Sequence, residues 1–480
     1  MAWSSDNLVR RRKSVWELLF LACIIGIIVL GVRGSQQKLS QPIPLSEPAE
    51  VPERVEDDKP TLVDAPKALW CRSVVHAEDF VFSIKTSAAE IATKLPPLLE
   101  STLRCPHNLL VFSDWQETIK GQPVIDALEH IDTKIQTTHP DFDLWRRLRE
   151  GGPDVLADEE MWESNKTTEK IDKWKILPML NRTYHEYPTK KWYIFTDTST
   201  FLFHTNLINW LNQYNVTLPH YIGLPSPSTP TLDPTLHGST FILSAPALSA
   251  LVSEYRSHPA AYHDLVSQHT HPLTALQLLI TKINALEFAA YEARLKLDPY
   301  TQTPLVVNMP AWPILQPQSP ATLDYRAMRD FKRLWCFPAV SYGNLSPPEI
   351  VEMHKFEAGW YVEHAGEIRD ILHKDVFTNY ILPRLVIRGG RADDWENFSG
   401  GGGLFMGEKK AESVSECQGT CQANEGCLQY EFAEGMCRFG DVPRMGSFKR
   451  GSQSRWLLAR VQGWVEGREK CSGLDGWFTV

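Results

Sequence analysis

Lys191–Phe203, KWYIFTDTSTFLF, is the stretch that decides the fold class. Trp192 to Phe195 form a short, continuous apolar run, the pattern of a strand covered on both faces, and it runs straight into Asp197, Thr198 and Ser199. A polar turn at the carboxyl end of a central strand is where open α/β sheets hold their ligands. Phe201 to Tyr214 then reads as a helix.

Working outward, Asp79–Lys85 (DFVFSIK) alternates and is rich in Phe, Val and Ile, so it reads as a strand, followed by a helix over Glu90–Leu99. Leu109–Phe112 (LLVF) is a second short apolar run, ending at Ser113 and Asp114. Strand, helix, strand is the rhythm of a parallel sheet with helices on its faces. The acidic stretch Asp154–Ser164 reads as a loop, and helical pattern returns over Thr168–Tyr184, with Pro178 expected to kink it. Downstream, Pro219–His237 is crowded with Pro, Ser and Thr and reads as a loop. Gly238–Leu243 enters a strand, Pro246–Arg256 and Ser257–Ala290 are helical, and Trp335–Val340 (WCFPAV) is a buried piece.

The chain has 480 residues, with 49 Lys plus Arg against 58 Asp plus Glu, a formal charge of −9. That balance argues against a nucleic-acid binder, which needs a basic excess. Hydrophobic residues at 43% and charged residues at 22% exclude wholesale disorder and suit two or three domains. Arg10, Arg11, Arg12 and Lys13 precede the apolar run Val15–Val32, whose helix would be about 27 Å long. The expectation is a cytosolic tail over 1–14, a transmembrane signal anchor over 15–32 and a lumenal remainder, the alternative being a signal peptide cleaved before Ser35. Residues 33–66, punctuated by Pro42, Pro44, Pro48, Pro52, Pro60 and Pro66, read as an extended stem.

Beyond Cys23 in the apolar run there are eight cysteines, an even number that permits complete pairing in an oxidising lumen but leaves about 105 connectivities open. Gly400–Gly403 marks a boundary, after which Cys417, Cys421, Cys427 and Cys437 fall at spacings C-x3-C-x5-C-x9-C. These spacings give no two close pairs for zinc, and so short a segment calls for covalent staples. Asn-x-Ser/Thr sequons make Asn165, Asn181, Asn215 and Asn397 the expected glycan acceptors of a lumenal chain, a fifth sequon at Asn344 being disfavoured by the Pro after its Ser.

The segments FSIKTSAAEIATKLPPLLESTLRC, LLVFSD, IDKWKILPML, KWYIF, YIGLPSP, LHGSTFILS, RLWCFPAV, HKDVFTNYILPRL and DDWENFSG occur in this order. Together they resemble the fungal branch of the family 31 glycosyltransferases, relatives of Fringe and the β-1,3-galactosyltransferases, from Val74 to Ser399. SECQGTCQANEGCLQYEFAEGMC is similar to the PAN/apple-type modules that often follow this domain.

The resemblance implies an α/β fold of the nucleotide-diphospho-sugar transferase type over 67–400, a sheet with flanking helices. A small disulfide module over 410–480 would follow it, with Cys421 paired to Cys427 and Cys417 to Cys437. It implies a type II protein of the Golgi or ER membrane that transfers a hexose from a UDP-sugar to a glycan or glycoprotein acceptor with manganese. Asp114, Lys175, Asp197, Thr198, Ser199, His237 and Gly238 would form the donor site, with Asp197 as metal ligand.

Three positions depart from the family. The acidic triplet that binds metal aligns with Asp197, Thr198 and Ser199, so a serine hydroxyl stands where the metal-binding carboxylate is expected. The Gly-Asp pair supplying a general base aligns with SQHTHPLTALQLL, which has no carboxylate, leaving nearby Asp264 as the catalytic candidate. The His-His pair aligns with Gly343 and Asn344. A chain with these losses is either a transferase or a catalytically impaired relative that binds a glycan or partner. Each site residue also has a plainer role: Asp197 as a helix cap, Asp114 as a turn former, His237 as a structural histidine, and Lys173 and Lys175 as solvated helix lysines.

Overall fold

The computed structural model describes residues 76–157, 167–223, 240–270, 272–295, 307–310, 315–316, 319–325, 328–329, 332–364, 369–397, 406–468 and 471. The expected tail, anchor and stem, Asn165, His237 and Gly238 lie outside the described residues. Among the described residues no helix is long and apolar enough to cross a membrane.

The chain is mixed α/β. Its main sheet is built from β1 (Phe80–Lys85), β2 (Leu109–Ser113), β3 (Glu117–Ile119), β4 (Gln122–Asp126) and β5 (Trp192–Asp197). After the two-residue β6 (Phe201–Leu202), which lies elsewhere, it adds β7 (His220–Gly223), β8 (Phe241–Ser244) and β9 (Val307–Pro310). The order across the sheet is β3-β4-β2-β1-β5-β8-β7-β9. β1 runs parallel to both β2 and β5, whereas β8 is antiparallel to β5 and to β7.

The chain leaves β1 toward β2 on one side and returns to β5 on the other. β1 and β5 therefore flank a topological switch point, and the crevice beyond their carboxyl ends is where such sheets hold ligands. Both faces are covered, which is why the central strands read as unbroken apolar runs. Val81, Phe112, Tyr193 and Phe195 pack with the helices Thr167–Glu186 and Ala245–Ser257 on one face. Phe80, Phe82, Trp192 and Ile194 pack with Leu207 and Trp210 of the helix His204–Leu211 on the other.

The long helix Thr167–Glu186 runs continuously through Pro178. Three local expectations are corrected. Phe201 and Leu202 do not start a helix: they form β6, which pairs with Tyr342 and Ser341, and Phe203 N donates to Val340 O at 2.9 Å. Pro219–His237 is not a loop throughout, because His220–Gly223 is a fully buried strand whose backbone pairs with β8 and β9. Ser257–Ala290 is not one helix but two, Pro259–Gln268 and Thr274–Leu295, parted where His269 takes up an extended backbone.

Three smaller groupings of strands lie among the described residues. β10 (Leu315–Gln316), β13 (Ser341–Tyr342) and β6 form a three-stranded sheet, and β11 (Met328–Arg329) pairs with β12 (Lys332–Arg333). The C-terminal sheet comprises β14 (Arg391–Glu396), β15 (Gly407–Lys410), β16 (Gln429–Ala433), β17 (Met436–Gly440) and β18 (Ser447–Trp456), in the order β14-β18-β16-β17-β15. β14 precedes the glycine run and is held in this sheet by β18, from more than fifty residues on.

The Cys417–Cys437 and Cys421–Cys427 disulfides are present and lie in one small core with Tyr430. A further bridge, Cys336–Cys471, spans a separation of 135 residues. Leu428, Trp456 and Val461 share a core with Trp335 and Phe377, so the module is packed against the preceding residues as well as tied to them.

Candidate functional site

Lys85 ends β1, and in register it faces Phe112 of β2 on one side and Asp197 of β5 on the other. Beyond it the chain turns through Thr86, and the helix Thr167–Glu186 crosses with Asp172 and Lys175 one turn apart. These elements assemble a linear array of charges: Lys85, Asp172, Lys175, Asp114. Lys85 Nζ pairs with Asp172 Oδ2. Lys175 Nζ donates to Asp172 Oδ1 at 2.8 Å, to the Thr86 carbonyl at 2.8 Å and to Asp114 Oδ2 at 3.3 Å.

Asp114 is held from its other side by Ala88 N at 2.7 Å and Ser113 Oγ at 3.2 Å. The Lys175 and Asp114 side chains are both 0% exposed. An ammonium has three protons, and those of Lys175 meet three acceptors within the chain. The array sums to zero charge. Burial opposes ionisation of Asp172, but Lys175 and Lys85 outweigh it and bring the carboxyl down to about 2. Burial likewise works against the Lys175 charge and is outweighed by Asp114 and Asp172, which raise its pKa above the ordinary lysine value.

The triplet lies at the end of β5. Asp197 Oδ1 accepts from Ser199 N at 2.9 Å, Ser199 Oγ at 2.8 Å and Thr200 Oγ1 at 2.9 Å, so the aspartate closes its own turn. Thr198 is buried and its hydroxyl donates to Glu90 Oε1 at 3.3 Å, while Glu90 Oε2 pairs with Lys94 at 2.6 Å. Leu345 N donates to the Ser199 carbonyl at 2.8 Å, which holds the Gly343–Asn344 turn alongside the triplet. Asn344 takes a left-handed backbone there, with φ of 55°.

These residues do not fit a divalent cation. A hard ion bridging phosphates takes charged carboxylate oxygens, whereas Ser199 offers a neutral hydroxyl that already donates to Asp197. A separate group, His76, Glu78 and Asp79, brings ligand atoms within 4.8 Å of one another. It lies at the opposite, amino end of β1, and Asp79 there pairs with Lys191 at 2.6 Å.

Of the donor residues expected from sequence, Asp114, Lys175, Asp197, Thr198 and Ser199 cluster beyond the carboxyl ends of β1, β2 and β5. Asp264 does not join them: it is exposed on Pro259–Gln268, and among the described residues no hydrogen bond or ion pair links it to the cluster. Lys175 is not a solvated helix lysine, and neither is Lys173, which is buried against Asp141 at 2.9 Å. Sequence reasoning missed Lys85, Asp172 and Glu90. A lysine ending the apolar run FVFSI, and an Asp three residues before a Lys in IDKWK, were the available signals.

Compared with known proteins, the chain matches no family model, and no curated protein matches it.

Proposed function

We propose that the chain is a glycosyltransferase-like protein of the secretory pathway, type II in the Golgi or ER membrane. It would use the nucleotide-diphospho-sugar transferase type of sheet, with a UDP-sugar and a glycan or glycoprotein acceptor as partners. One observation carries the reading: the Asp197–Thr198–Ser199 turn ends β5 at the β1/β5 switch point, facing Lys85 in register. A donor nucleotide at this crevice would lie beside the Ser199 hydroxyl and the Lys85 ammonium, which pair within the chain with Asp197 and Asp172, without an intervening metal.

A second reading is favoured by the internal use of the charges there. All three Lys175 protons are taken, and Asp197 is engaged by its own turn. That arrangement suits a catalytically impaired relative that holds a glycan or partner rather than transferring sugar. Calorimetric titration of the full-length chain with UDP, with manganese present or chelated, separates the two. The first reading expects binding that manganese does not change, and no binding under either condition favours the second. Tight binding that appears only with manganese would overturn the account of the triplet.

A further inference from the structure

The sequons differ sharply in what the fold does with their asparagine nitrogens. Asn215 lies in the turn after the helix His204–Leu211 and is exposed, as is Thr217. Its side-chain oxygen accepts from Thr217 N at 3.1 Å and Thr217 Oγ1 at 2.7 Å. Its main-chain carbonyl is held by the His220 ring at 2.9 Å and by Leu218 N at 3.1 Å. The backbone and oxygen are thus fixed while Nδ2 makes no hydrogen bond among the described residues.

Asn397 is the reverse case. It is 0% exposed, and its Nδ2 donates to the Tyr430 carbonyl at 3.1 Å and the Arg455 carbonyl at 3.4 Å. Its own main-chain oxygen accepts from Gln429 Nε2 at 2.8 Å, so one residue ties the end of β14 to β16 and β18. A sugar on that nitrogen would cost at least one of these bonds and open a buried seam. Asn181 is intermediate: its oxygen accepts from Arg256 Nε at 2.5 Å, and its sequon partner Thr183 is fully buried against Ser83.

We propose that Asn215 carries an N-linked glycan and that Asn397 stays unmodified, its nitrogen serving as a joint of the terminal sheet. This rests on the lumenal placement proposed above. In the modification Nδ2 forms a bond to the anomeric carbon of a lipid-pyrophosphate-linked oligosaccharide. The bond from that carbon to the pyrophosphate oxygen breaks, Nδ2 gives up one proton, and the lipid pyrophosphate leaves.

The test expresses the full-length chain in a eukaryotic secretory host and releases glycans enzymatically in heavy-oxygen water, so that each occupied asparagine is marked as labelled aspartate. Peptide mass spectrometry is expected to find the mark on Asn215 and not on Asn397. Asn215→Gln is expected to lower the mass on a gel by one glycan. Ser399→Ala, which abolishes the Asn397 sequon while leaving the asparagine in place, is expected to change nothing. A mark on Asn397 in the folded protein overturns the proposal, as does an unmarked Asn215 beside another marked sequon. A chain with no mark at any sequon overturns the lumenal placement and the proposal with it.

Discussion

Replacing Lys175 by methionine keeps most of the side-chain volume and removes the central charge of the Lys85–Asp172–Lys175–Asp114 array. Three hydrogen bonds disappear, at 2.8, 2.8 and 3.3 Å, and Asp114 is left fully buried without its cation. Asp172 keeps Lys85, and Asp114 keeps Ala88 N and Ser113 Oγ, so the loss is partial. Breaking one side of a buried ion pair costs about 3–5 kcal/mol, more than a neutral hydrogen bond because a charge is stranded out of water. For a chain of 480 residues, with an unfolding entropy of about 1 kcal/mol/K, that corresponds to a fall in melting temperature of roughly 3–5 °C.

The assay is thermal unfolding of Lys175→Met, paired with UDP titration of the same protein. If the lysine is consumed within the fold, stability drops by that amount, and Asp114→Asn added to Lys175→Met restores part of it by neutralising the stranded carboxylate. A melting temperature unchanged within about 2 °C, together with a tenfold or greater loss of UDP affinity, would show that Lys175 serves a ligand instead. The internal pairing would then not be the state that matters.

The helix Pro347–Glu363 buries Glu357 to 4% exposure, and burial raises its carboxyl to about 8. The folded state holds this proton above the ordinary 4.5. Stability from this group is therefore full below about pH 4.5 and is lost as pH rises toward 8, by an amount on the order of 5 kcal/mol. Glu357→Gln should flatten melting temperature against pH over that window, and an unchanged slope would refute the assignment. Asp172 has the opposite sign: with its carboxyl lowered from 3.8 to about 2, its contribution is present above pH 3.8 and fades as pH falls through 2, which acid titration followed by circular dichroism would read. Ser199→Asp should introduce manganese-dependent UDP binding, detectable by calorimetry; binding that stays indifferent to manganese would mean that the pocket lacks more than this one carboxylate. Replacing Cys336 and Cys471 by serine removes a link across 135 residues and should cost about 2–5 kcal/mol in urea unfolding, with equal stability of the two proteins arguing against the bridge.

Much of this architecture is local and could be read along the chain. The apolar runs FVFSI, LLVF and WYIF announce strands because a strand covered on both faces must be apolar at consecutive positions. The polar triplet at the end of WYIF marks the crevice because strand ends abut their own turns. The cysteine spacing called for staples, and the resemblance of the module chose the pairing that the structure contains.

What only the tertiary structure decided are relations between distant residues. Tyr221 and Ile222 become a strand inside a loop-like composition because β8 and β9 offer them backbone partners. Arg391–Glu396 joins the terminal sheet because β18 returns to it. Lys175 reaches Asp114 across 61 residues, and Lys85 reaches Asp172 across 87. The sequon at Asn397 reads like the one at Asn215, yet one nitrogen is spent inside a sheet and the other faces water. Hydrophobic period and turn chemistry act between neighbours and are written in the order of residues. A lysine's three protons or an amide's donors are satisfied by whatever the fold brings within 3 Å or so, and that is set by how the sheets pack.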